Sequence, residues 1–243
     1  MRNVIVISLA TIAHCAIGAG DLKGQRNRTG WEPLISYYQG KSDNHTVRGM
    51  DNKLKLAFAN LRAGRLSDAE RLLNQYQKMQ KQNVEIKHGL AEVYLATKRY
   101  EKARVILLKI VKEAPNDLVA TYNLGLAQFL LRDFGAAKNL FTKALDLDEK
   151  CVPAILGRAQ TRLLLNDLSG AAEDFSRAFE LDPRNGQALL LSARSLIHSN
   201  PEEAKRLFEQ FVSLAQKKRI EFTEENMSLA KMSLNSIRAE RQR

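Results

Sequence analysis

Cysteine is scarce: the 243-residue chain has two, Cys15 and Cys151. That count excludes a disulfide framework and a thiolate zinc site. The four histidines, His14, His45, His88 and His198, are scattered and give no metal-ligand spacing. The phosphate-cradling patterns G-x-x-x-x-G-K-S/T and G-x-G-x-x-G do not occur, and neither does the nucleophile elbow G-x-S-x-G. The β-branched runs and turn signals of a sheet protein are missing. After the first twenty residues, no apolar run approaches the ~20 residues of a spanning helix. We therefore expect no enzyme, no cofactor, no metal and no small-molecule ligand.

The first twenty residues stand apart. Arg2 is their only charge, Val4–Ala13 is apolar, and Ala16-Ile17-Gly18-Ala19-Gly20 offers small residues for cleavage. This is the pattern of a secretory signal over 1–20. It predicts a periplasmic or secreted protein whose mature form carries one thiol and a net charge of +10, down from +11. Lipidation at Cys15 is the alternative, but His14 stands where a lipoprotein signal has a small residue. Residues 21–49 have no period and read as a flexible lead-in. Within it, Trp31, Tyr37 and Tyr38 mark a short aromatic segment. It could pack on the first repeat, or dock into a partner or the protein's own groove, since aromatics anchor interfaces.

From about Met50 the chain repeats every 34 residues. Leu66, Tyr100, Phe134 and Leu168 are in register, as are Ala69, Ala103, Ala137 and Ala171, and Leu73, Leu107, Phe141 and Phe175. Such a period marks stacked units that cannot bury an apolar face alone. Within each unit, apolar residues at three- and four-residue spacing predict two helices joined by a short polar turn. The turns fall at Ala63-Gly64-Arg65, Lys98-Arg99, Arg132-Asp133 and Asn166-Asp167. Ser67 with Glu70 reads as a capping box, and Asn200-Pro201 with Glu203 as another helix start. The units run 50–83, 84–117, 118–151, 152–185 and 186–218. The fifth is one residue short, since Ala204 follows Ala171 by 33. A final helix over 223–241, opened by Thr223, puts Met227, Ala230, Leu234 and Ile237 on one face as a cap. Glu173-Asp174 reads as a solvated acidic pair and Cys151 as a half-buried junction residue.

These units resemble the tetratricopeptide repeat. The third carries Asn123-Leu124-Gly125, Phe129, Phe134, Ala137, Phe141 and Ala144. The fourth keeps Ala159, Leu168, Ala171, Phe175, Ala178 and Pro183; the second keeps Leu90, Ala91, Tyr94, Tyr100, Ala103, Leu107 and Pro115. The resemblance implies an all-α, right-handed superhelical α-solenoid of helix–turn–helix repeats ending in the capping helix. It also implies a groove lined by first helices, here Leu54, Phe58, His88, Glu92, Tyr122, Asn123, Leu126, Leu156, Gln160, Leu190 and Arg194. Asn123 matches the family asparagine that bonds ligand backbone. The basic set that clamps a C-terminal carboxylate is not reproduced.

The expected function is a non-catalytic scaffold of the cell envelope. It would bind an extended or helical segment of a protein partner, as in pilus or secretion-system assembly, with peripheral membrane association open. Nucleic acid is not expected, because the basic residues are spread and RNA-binding aromatic motifs are absent. The alternative is a basic surface binder of anionic glycan, lipid headgroups or nucleic acid, with the repeats as framework.

Overall fold

A computed structural model describes Ser36, Gln39 and residues 47–80 and 82–240. The chain divides into two compact units, Met1–Arg132 and Asp133–Arg243. The first holds α1 (Val47–Arg62), α2 (Leu66–Met79), α3 (Val84–Ala96), α4 (Tyr100–Glu113) and α5 (Leu118–Leu130). The second holds α6 (Phe134–Leu147), α7 (Val152–Leu164), α8 (Leu168–Leu181), α9 (Gly186–Ser195), α10 (Pro201–Gln216) and α11 (Glu224–Glu240). Among the described residues there is no strand, only an isolated bridge between Asn185 and Glu221. The architecture is all-α, with consecutive helices packed on one another inside each unit.

The period is visible in the backbone as well as in the side chains. Gly64, Lys98, Arg132 and Asn166, each 34 residues apart, all adopt positive φ, between 60 and 78°. This left-handed residue ends the first helix and reverses the chain within three residues. Only the first copy uses glycine, so the other three hold a conformation that costs a side-chain-bearing residue free energy. Capping is periodic too. Asn83, Asp117 and Asn185 precede first helices and accept from the main-chain N–H three residues on. Cys151 holds the same register without a cap bond, and α7 relies on Pro153 in its first turn. Cys151 is buried, not half-buried.

Second helices begin less uniformly. Asp133 and Asp167 cap α6 and α8 through their side chains. The expected capping box at Ser67 and Glu70 does not form: α2 starts at Leu66, and its N-cap, Arg65, makes no side-chain cap bond. Glu70 instead takes both guanidinium arms of Arg99, at 2.8 and 2.6 Å, and Arg99 also lies 4.6 Å over the Tyr94 ring. The Arg99 bonds hold the Glu70 carboxyl below its ordinary value.

In the first unit the core runs through Leu56, Phe58, Leu73, Tyr76, Ile86, Leu90 and Val93. In the second it runs through Leu189, Leu190, Leu207, Phe208, Phe211, Leu234 and Ile237. Helix approach depends on small residues. A Cβ at Gly157 of α7 would lie 2.7 Å from the Phe141 ring of α6. Asp174, expected to face solvent, is buried and gripped by Arg158 (2.9 and 2.7 Å) and Arg162 (2.9 Å). No local pattern could show this, because the arginines come from the preceding helix.

The fifth pair departs from the rest. α9 stops at Ser195, and the turn before α10 has no left-handed residue, since Asn200 takes φ −148° and caps α10 through Glu203 N–H. The chain leaving α10 folds back onto the start of α9. Glu221 N–H donates to Arg184 O at 2.8 Å, and Phe222 meets Phe211 edge-to-face at 6.4 Å. The Thr223 hydroxyl then caps α11 by accepting from Asn226 N–H. Met227, Ala230, Leu234 and Ile237 are buried against α10 while Met232 is exposed, so α11 covers the last apolar face.

Gly186 is the test of this closure, since a Cβ there would run into the Glu221 carbonyl oxygen, a backbone atom with little room to yield. Gly186→Ala is expected to cost about 1–3 kcal/mol by overpacking. Gly135→Ala, with only Asp133 Oδ1 at 3.9 Å, is expected to be neutral or slightly stabilising. Urea unfolding of the two variants checks this, and equal midpoints would contradict it.

Candidate functional site

The first helices carry two registers of interest, each spaced by 34 residues. One runs Leu54, His88, Tyr122, Leu156, Leu190; the other runs Phe58, Glu92, Leu126, Gln160, Arg194. In the first unit these side chains project from α1, α3 and α5, and α3 touches both of its neighbours. Phe58, His88, Glu92, Tyr122 and Leu126 are all buried there, and Leu54 is half-buried. In the second unit Leu156 and Leu190 are buried within their own stack, Gln160 is half-buried and Arg194 is exposed. Trp31, Tyr37 and Tyr38 lie outside the described residues, as do the signal over 1–20 and Cys15.

Polar contacts bind the first-unit helices side by side. Arg62 Nη2 of α1 lies 3.4 Å from Glu92 Oε2 of α3. His88 Nε2 lies 2.9 Å from Oδ2 of Asp117, the residue that caps α5. Lys87 Nζ donates to Glu113 Oε2 at 2.7 Å, tying α3 to the end of α4. The first two contacts each use one end of a buried side chain and leave its other end unused. Among the described residues, His88 Nδ1 and Glu92 Oε1 have no hydrogen-bond partner, and neither does either side-chain amide atom of Asn123, which is 0% exposed.

Asn123 occupies a distinctive place in the repeat. Its counterparts 34 residues away are Gly89 and Gly157. At Gly89 a Cβ would meet Leu73 at 3.0 Å and Phe58 at 3.1 Å, so helices press together at this register. The residues equivalent to Leu73 and Phe58, one repeat on, are Leu107 and Glu92. Asn123 thus stands at a register where two other repeats carry glycine, while Lys55 and Leu191 hold it in the first and fifth. A buried amide without partners costs free energy, typically about 1–3 kcal/mol for each unsatisfied group. Asparagine offers a donor and an acceptor side by side, which matches the N–H and C=O of a peptide main chain.

Glu92 is the other unusual group. Burial pushes its carboxyl above the ordinary carboxylate range, against the opposing pull of Arg62 and His88. We take burial as the stronger influence because Arg62 stands 3.4 Å away and reaches only one oxygen. The sequence showed polar residues at these positions; it could not show that they are closed off from water. Gly89 and Gly157 were missed altogether, although their 34-residue spacing from Asn123 was legible. The second unit offers Gln160, whose Oε1 also lacks a partner, and the exposed Arg194. Among the described residues no group of side chains could hold a metal ion, and no helix is long and apolar enough to cross a membrane.

Comparison with known proteins agrees with this architecture. Residues 60–128 and 122–185 each match a family model described as tetratricopeptide repeat. No curated protein matches the chain in sequence. Similar solved structures include one titled MamA MSR-1 C2, with TM-score 0.60 and 20% identity over 70% of this chain and 98% of that one. A second is MamA 41-end from Desulfovibrio magneticus RS-1, with TM-score 0.63 and 16% identity over 69% and 96%. A third is TTC0263, a thermophilic TPR protein of Thermus thermophilus, with TM-score 0.57 and 19% identity over 76% and 98%. At such identities the likeness is one of fold.

The raised Glu92 carboxyl has a pH consequence. The fold favours its protonated form, so its penalty is absent in acid and grows as pH rises through the folded value. Going from about pH 4 to pH 7, the wild-type chain is expected to lose stability relative to Glu92→Gln. Denaturation of both proteins across that range checks it, and parallel curves would contradict it.

Proposed function

Because the chain carries tetratricopeptide repeats over residues 60–185, we propose that it is a non-catalytic scaffold that holds a segment of another protein against its first helices. The observation that carries this reading is the Asn123 amide, buried with its donor and acceptor both unused among the described residues, on α5, which touches the α3 helix that carries Glu92 and His88. A peptide main chain laid across α3 and α5 supplies the complementary pair, and Phe58, Tyr122 and Leu126 supply apolar contact for its side chains. The leader-like first twenty residues support a periplasmic or secreted setting. In that setting the chain would help assemble an envelope structure such as a pilus or secretion apparatus, a role that rests on analogy with repeat scaffolds.

The net charge of +11 favours a second mode, attachment to anionic surfaces. Part of the basic complement is already committed to internal partners. Arg158 and Arg162 hold Asp174, Arg99 holds Glu70, and Lys87 holds Glu113. Ionic strength separates the modes, because exposed charges are screened by moderate salt and a desolvated apolar groove is not.

A photo-crosslinking amino acid placed in turn at Leu54, Gln160, Arg194 and Val105 tests the proposal. Val105 is an exposed position on the second helix α4. Adducts with one protein partner are expected from the first three sites, to persist in moderate salt, and to be absent from Val105. Asn123→Ala is expected to weaken capture by about tenfold, the loss of roughly one buried hydrogen-bonding group. Adducts only at Val105, or capture abolished by salt, would overturn the reading.

A further inference from the structure

We infer that the water-facing side of α4 docks on an anionic membrane surface, with Val105 and Leu108 seated among the lipid headgroups and Lys109 and Lys112 on the headgroup charges. Such docking gives a site to attachment through charge. It is independent of the scaffold reading, whose partner lies against first helices, whereas α4 is a second helix. Val105, Leu108, Lys109 and Lys112 fall at i, i+3, i+4 and i+7, so they form one stripe. All four are exposed, the two aliphatic ones by 47% and 44%. The opposite stripe, Ala103, Leu107 and Ile110, has no exposed surface. Thus α4 completes its share of the core and still presents two large apolar side chains to water.

The other repeats act as controls. At the register of Val105 they carry Arg71, Asn139 and Glu173, and at that of Leu108 they carry Asn74, Thr142 and Ser176. The packing of a second helix therefore asks for no apolar residue at either place. The register of Lys112 reads Lys78, Lys112, Asp146, Glu180, so its charge is positive in the first unit and negative in the second. Charge around the stripe is unbalanced as well. Both acids of α4 are engaged elsewhere, Glu101 by Arg104 at 2.8 Å and Glu113 by Lys87 at 2.7 Å. Among the described residues no ion pair includes Lys109 or Lys112.

Those features select the occupant. A second copy would set lysine against lysine, which is unfavourable. An extended peptide needs a groove or a strand edge, and this stripe runs along an exposed helix face. A bilayer surface asks for neither. It takes up protruding aliphatic groups, and the lysine stems lie along them while the ammonium groups reach the phosphates. Each lysine held at an anionic surface is worth about a fivefold gain in binding.

Cosedimentation of the full-length chain with vesicles tests this, comparing phosphatidylcholine mixed with phosphatidylglycerol against phosphatidylcholine alone. Tighter binding to the mixed vesicles is expected. Lys109→Gln with Lys112→Gln is expected to weaken that binding by at least about tenfold, and Val105→Ser with Leu108→Ser by several-fold. All four side chains are exposed, so neither pair is expected to move the thermal midpoint. A photo-crosslinking residue at position 108 is expected to give a phospholipid adduct, and one at position 173, exposed on α8, none. Equal binding to neutral vesicles, binding unchanged by the lysine pair, binding unchanged by the serine pair (the mark of a general polyanion site), a product of dimer mass from position 108, or no lipid adduct there would each overturn the inference. If the vesicle results fail while a protein partner still crosslinks at Leu54 and Gln160, membrane docking falls and the scaffold function stands.

Discussion

Close helix approach at small residues is the constraint from which the rest follows. A helix pair can bury little by itself, so each must press onto the next, and pressing needs positions without bulk. Ala69, Ala103, Ala137 and Ala171 supply them on the second helices, all with no exposed surface. On the first helices Gly89 and Gly157 do the same, the latter under the ring of Phe141. The left-handed turn residues Gly64, Lys98, Arg132 and Asn166 set the reversal that aligns these positions. Packing sets the period, and the period in turn sets which side chains share a face.

That constraint gives Asn123 its significance. It stands where two other repeats carry glycine, and it brings into a tight place a polar group that nothing there satisfies. A side chain chosen for packing alone would be smaller or apolar. The same region gathers Glu92 with one oxygen unused and His88 with one nitrogen unused, each anchored at its other end by Arg62 or Asp117. On the proposed reading, groups already anchored at one end would meet a bound chain with little further ordering, which limits the cost of binding. The ion pairs elsewhere serve packing instead. In the Asp174 cluster the carboxylate is held between two arginines.

Much of this was legible in the sequence because a repeat makes each unit a control for the others. The 34-residue spacing of Leu66, Tyr100, Phe134 and Leu168 located the second helices, and all four prove to be first helical residues. The stripe Met227, Ala230, Leu234, Ile237 marked the buried face of α11. What escaped were contacts between residues far apart in the chain. Ser67 and Glu70 had the spacing of a capping box, but the turn at Gly64 starts α2 two residues early, and Arg99, 29 residues away, claims the carboxylate. Asp174 looked solvated because its arginines lie on another helix. Gly186 had no visible duty until Glu221 was found against it. For the site, the sequence put Asn123, His88 and Glu92 in one candidate set, but it could not show that all three are buried, because burial depends on what surrounds them.

The claim on which the functional account turns is that the Asn123 amide is completed by a chain laid over α3 and α5. A high-resolution crystal structure of the full-length protein tests it most directly. The account requires an N–H donor from such a chain at about 2.9 Å from Asn123 Oδ1. An amide satisfied only by ordered water or by side chains of its own repeats, with α1, α3 and α5 bare, would contradict it.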